Sequence, residues 1–168
     1  MIYIFGEAHS NPESVLFIQE QIKKIRPLTI VHEMLGVNKF IRSQVGNELA
    51  KCSSPRAVCQ IGLNDDVFKL AASLGASLIG CDLSQREFGN LKDKPLIEVF
   101  AAREARMLAT LLSVSRRIED IVMVVGDTHL RTVETPELGP ISPIQQAIKS
   151  GLVRAKVTRA PVAMREIA

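Results

Sequence analysis

The chain has no tryptophan, one tyrosine and six phenylalanines. That scarcity removes the aromatic platforms on which single-stranded nucleic acid is usually stacked. Basic residues are not clustered either. The net charge is only +3, and the positive lean near the end (Lys149, Arg154, Lys156, Arg159, Arg165) reads as a solvated face. Nucleic acid is therefore not an expected partner. There are three cysteines, Cys52, Cys59 and Cys81, with no C-x-x-C spacing. An odd number without that spacing demands no oxidising compartment. Cys81 falls inside an apolar run and reads as a small buried hydrophobe. No segment approaches the roughly 18 apolar residues needed to cross a bilayer. No basic n-region introduces a long apolar stretch at the start, so no signal peptide is expected. These absences lead to the expectation of a cytoplasmic protein with no membrane partner. Internal repeats, linkers and low-complexity segments are missing as well.

What remains is ordinary globular composition. The 168 residues are 46% hydrophobic and 23% charged, enough for one well-buried core in a single domain spanning 1–168. Residues 2–5 are a short uncharged run, β-branched and aromatic, closed by Gly6, and read as a buried strand. Ser10-Asn11-Pro12-Glu13 has the signature of a helix start, and Pro27 ends that helix. Residues 28–31 form a second strand ending in His32-Glu33. A helix is expected over 37–51 and a loop over 52–62. Asn64-Asp65-Asp66 caps a further helix that runs to Leu74 and is ended by Gly75. Residues 76–81 are a third strand leading to Asp82. The polar stretch 84–94 is expected to be a loop, placed to act as a lid.

The longest helix is expected from Pro95 to about Arg117, followed by an aliphatic strand over 120–125. A proline-rich loop over 135–143, a short helix over 144–149 and a last strand over 152–158 complete the chain. The first four strands are continuous apolar runs. This predicts an α/β three-layer sandwich with a mostly parallel sheet covered on both faces. Alternation in the last strand marks it as an edge strand, with an antiparallel direction open to it.

Chemistry gathers where the strands end. In open α/β sheets, ligands bind beyond the carboxyl ends of the strands. The first strand delivers Glu7 and His9 there, and the second His32 and Glu33. The third delivers Asp82, and the fourth Asp127 and His129. All three histidines fall within a few residues of a strand end. His32 and Glu33 alternate along a strand, so only one of them can face the site. Glu33 is the expected one, with His32 packed in the core. Asp82 taken alone reads as a turn residue. Arg103 lies beside the apolar stripe of its helix, near Val99, Phe100 and Met107. It either snorkels from the helix edge or reaches the rim to hold an acid or an anionic substrate group.

Two histidines and two carboxylates suit two kinds of chemistry. Glu7, His9, Glu33 and His129 can hold a divalent metal such as manganese, zinc or cobalt, which would activate a water molecule. Without metal, a histidine can activate water while a glutamate orients it or shares its proton. A serine triad is less suited, because no serine sits in a G-x-S-x-G elbow.

The motifs then become recognisable as a set. Gly6-Glu7-Ala8-His9 follows the first strand, and Glu33 the second. Leu70-Ala71 leads to Gly80-Cys81-Asp82. Arg103-Glu104-Ala105-Arg106-Met107 and Val124-Val125-Gly126-Asp127-Thr128-His129 close the series. In this order they resemble the erythromycin esterase/ChaN-like superfamily, which includes the TraB/PrgY and Tiki proteins, over residues 2 to about 131. The resemblance implies a site of Glu7, His9, Glu33, Arg103 and His129, with Asp82 nearby. The resemblance does not fix one reaction, since members include metal-independent esterases, apparent metalloproteases and haem-binding proteins. With the paired G-x-x-H turns, the leading expectation is a hydrolase of small-molecule or peptide substrates that is helped by a divalent metal. Haem binding without turnover, or a non-catalytic interaction module, are the alternatives. Two positions depart from the pattern. Glu104 stands where Asp or Asn is usual. Asp127 stands where a small residue is common, and is expected to add a carboxylate beside His129.

Overall fold

A computed structural model describes residues 1–8, 11–33, 66–83 and 85–160. His9, the helix expected over 37–51, the loop over 52–62 and the Asn64-Asp65 cap lie outside the described residues. In chain order the elements are β1 (Ile2–Glu7), α1 (Pro12–Ile25), β2 (Thr29–His32), α2 (Asp66–Leu74) and β3 (Ser77–Gly80). They continue with α3 (Gln85–Asn90), α4 (Leu96–Val114), β4 (Ile121–Gly126), a 3-10 turn (Asp127–Leu130), α5 (Pro143–Lys149) and β5 (Ala155–Arg159).

The five strands form one parallel sheet in the order β3-β2-β4-β1-β5. The fold class is therefore α/β. β5 lies at an edge, as alternation suggests, but it runs parallel to β1. The antiparallel option is thereby corrected. The crossover through α5 returns the chain to the end where β1 begins. The 84–94 stretch is also more ordered than its polarity implies, since α3 occupies six of its residues.

Strand parity sorts the core into two layers. Ile2, Ile4, Val31, Met123 and Val125 pack with Met107 and Leu111 of α4 and Ile144 of α5. Phe5, Ile30, Val122 and Val124 pack on the other face with Ile18 and Ile22 of α1 and Ala71 of α2. Covering both faces removes apolar side chains from water on each side of every central strand, which is why those strands read as unbroken apolar runs.

The start of α1 is tied to the end of β1. Asn11 Oδ1 accepts from the backbone N–H groups of Glu13 and Ser14 at 3.0 and 3.2 Å. Buried Ser14 in turn accepts from the Ala8 N–H through its Oγ at 3.0 Å. Two donors of the first helical turn and one of the strand end are thus satisfied by neighbouring side chains.

Candidate functional site

Glu33 follows directly on β2. Its backbone N–H donates to the Val124 carbonyl at 3.0 Å, which continues the β2–β4 ladder one residue past His32. Alternation then puts Glu33 on the face of Val31, under α4, and His32 on the face of Ile30, under α1 and α2. Both are buried. The expectation that Glu33 and not His32 faces the rim matches this parity.

On α4, Arg103 reaches the same place. Its Nη2 donates to Glu33 Oε1 at 2.5 Å and to Asp82 Oδ2 at 2.8 Å. Its Nε adds contacts of 3.2 Å to both oxygens of Asp82. Of the two roles open to Arg103, holding acids is the one adopted. Asp82 is more than a turn residue, although its Oδ1 also accepts from the Leu83 N–H at 2.7 Å. The guanidinium lies 5.6 Å from the ring centroids of both Phe88 and Phe100. Two carboxylates and two aromatic faces thus offset the cost of removing this charge from water.

The second carboxylate oxygen of Glu33, Oε2, accepts from the backbone N–H of Gly126 at the end of β4. The chain then makes its 3-10 turn and buries His129. The His129 ring is stacked on Phe100, with centroids 5.0 Å apart and planes 27° from parallel. Its Nε2 lies 3.4 Å from Glu33 Oε1, and its Nδ1 lies 3.1 Å from Glu104 Oε1. Burial disfavours the charged ring, but the two carboxylates outweigh it and raise the His129 pKa above the ordinary 6.5.

Glu104 is itself almost fully buried. Arg131 holds it from the other side, with Nη2 donating to Oε2 at 3.0 Å and Nη1 donating to Oε1. Burial would raise the Glu104 pKa, but hydrogen bonds to His129 and Arg131 prevail and lower it below the ordinary 4.5. Arg131 also donates to the carbonyls of Thr128, Leu138 and Pro140, which pins the loop after the 3-10 turn. Ser142 Oγ closes the frame by donating to the His129 carbonyl at 2.5 Å.

Sequence reasoning singled out Glu33, Asp82, Arg103 and His129, and the structure brings them together. Glu7 ends the neighbouring strand, buried and in register with Gly126. Alternation places Glu7 with Phe5, on the α1 side of the sheet. Asp127, expected beside His129, has Arg159 as an ion-pair partner at 3.3 Å. It also packs on Gly6, where an added Cβ would come within 2.5 Å of Asp127 Oδ1. Glu104 and Arg131 were missed as site residues. A helical wheel carries the signal for Glu104: Phe100, Met107 and Leu111 lie four before, three after and seven after it. A carboxylate on that stripe must be paired.

The expected metal set can be tested on its donors. His9 is outside the described residues. Both nitrogens of His129 face carboxylates, and both oxygens of Glu33 already accept hydrogen bonds. Among the described residues, no group of three or more His, Cys, Asp or Glu side chains is placed to hold a metal ion. The described donors do not fit a metal as they are arranged. A haem iron meets the same difficulty at His129. Cys81 is fully buried, and burial followed by the charges of Glu33 and Asp82 pushes its thiol well above the usual range, so it is an unreactive packing group.

No described helix is long and apolar enough to cross a membrane. No protein-family model and no curated protein matches the sequence. A solved structure titled "Bacterial protein toxins" matches with a TM-score of 0.56 and 16% identity. The match covers 95% of this chain and 34% of that one, so the chain spans about a third of its length. At that identity the likeness is one of fold, and it agrees with the α/β architecture described above.

Proposed function

We propose that the protein is a hydrolase whose His129–Glu33 pair activates water by general acid–base catalysis, acting on a small-molecule or peptide substrate. The observation that carries this reading is the buried run Glu104–His129–Glu33 at the carboxyl ends of β2 and β4. Neutral His129 takes a proton from the attacking water at Nε2. The imidazolium that forms is stabilised by Glu33 Oε1, 3.4 Å away, and then gives its proton to the leaving group. Glu33 remains a carboxylate throughout, held by Arg103 and the Gly126 N–H. The erythromycin esterase/ChaN-like resemblance also implies roles for Glu7 and His9, but the step above needs neither.

Hydrolysis of p-nitrophenyl acetate, with metal analysis of the same sample, tests this. Wild-type protein is expected to hydrolyse the ester. Glu33→Gln should lower kcat by about 100-fold, the size of effect expected for loss of an acid–base partner. Unchanged turnover in that variant rejects the role given to Glu33. Manganese, zinc or cobalt at one equivalent in the wild type, and absent from a His9→Ala/His129→Ala variant, would replace this reading with the metal-assisted one.

A further inference from the structure

The pair that sequence reasoning missed has a defined task. We infer that Glu104, clamped by Arg131, is the positioning residue of the site: it accepts from Nδ1–H of His129 and so fixes which ring nitrogen faces Glu33. A neutral imidazole carries one proton, on either nitrogen, and its partners decide which. Two carboxylates compete for that proton: Glu104 Oε1 stands 3.1 Å from Nδ1, whereas Glu33 Oε1 stands 3.4 Å from Nε2 and already accepts from Arg103, so the closer Glu104 contact prevails. Nδ1 therefore keeps the proton, and Nε2 presents its lone pair at the rim. Glu104 cannot swing away to release the ring. It is buried, and Arg131 binds both of its oxygens. Arg131 is in turn fixed by three backbone carbonyls. Phe100 sets the plane of the ring, so Glu104 and Phe100 together determine its orientation.

Glu104 touches neither water nor substrate in this scheme. It acts through His129, as a buried carboxylate behind a histidine does in other acid–base sites. The catalytic consequence rests on the hydrolase reading above. The tautomer does not, so the two can fail separately.

The test is the ring-nitrogen NMR spectrum of the full-length 15N-labelled protein, recorded at a pH where the His129 ring is neutral. The chain has three histidines, so a His129→Asn sample assigns the signals. The wild type is expected to show the Nδ1–H form of His129. The Nε2–H form, or an even mixture, in the wild type overturns the inference. Glu104→Gln retains a carbonyl acceptor and should preserve the Nδ1–H form, whereas Glu104→Ala should shift it toward Nε2–H. A folded Glu104→Ala protein that keeps the wild-type tautomer also overturns it. On p-nitrophenyl acetate, Glu104→Ala should lower kcat about 100-fold with KM little changed, as expected when only the acid–base group is misplaced. A rise in KM with kcat unchanged would assign Glu104 to substrate binding instead.

Discussion

At His129, burial opposes the charged ring, yet Glu104 and Glu33 together raise its pKa above 6.5. Two consequences of opposite sign follow. A histidine whose folded pKa is raised contributes stability that is fully present below the unfolded value and lost as pH rises through the folded value. A base must be unprotonated to take a proton, so ester hydrolysis should rise over the same window. Urea unfolding at several pH values checks the first: stability should fall with rising pH above about 6.5, and His129→Asn should remove that slope. Glu104 has the reverse sign. Its folded pKa is lowered, so its contribution is present above 4.5 and lost as pH falls through the lower value. The sequence indicated the histidine because it closes a G-x-x-H turn after an apolar run. It pointed to Arg103, which holds Glu33 and Asp82, and gave less sign of Glu104 beside it, which meets His129.

Each described element places its site residue by simple means. β2 ends at His32, and one more ladder bond from the Glu33 N–H aims that carboxylate under α4. α4 carries Phe100, Arg103 and Glu104 within two turns, so one helix supplies the stacking ring, the clamp on Glu33 and the partner of Nδ1. β1 contributes close packing. Asp127 crosses over Gly6, and an added Cβ there would meet Asp127 Oδ1 at 2.5 Å and Leu130 Cδ1 at 3.1 Å. Gly6→Ala should therefore push Asp127 away from Arg159 and disturb the turn that carries His129. A loss of about 1–3 kcal/mol is expected, typical of overpacking, and thermal or urea unfolding measures it. A variant as stable as the wild type would show that Asp127 yields freely. Apolar runs and caps made these elements legible, and Asn11, Pro12 and Pro27 bound α1 as their chemistry requires. The direction of β5 was not legible. Half-exposed alternation marks an edge but carries no sign of parallel or antiparallel, which the α5 crossover decides.

For the molecule as a whole, the parallel sheet in the order β3-β2-β4-β1-β5 turns scattered sequence positions into one rim. Glu33 and Asp82 follow neighbouring strands β2 and β3, and His129 follows β4 on the other side of β2. Arg103 bridges the first two from above. The sequence foreshadowed that convergence because each polar residue stood directly after an apolar run. The network behind it, Glu104 to Arg131 to the 131–142 loop, joins residues with no shared motif and became visible only through contact. The central claim is that His129 on this rim activates water. The most direct measurement is p-nitrophenyl acetate turnover by the His9→Ala/His129→Ala variant beside the wild type. The account predicts turnover by the wild type and none above background by the variant. Undiminished hydrolysis by the folded double variant would contradict it.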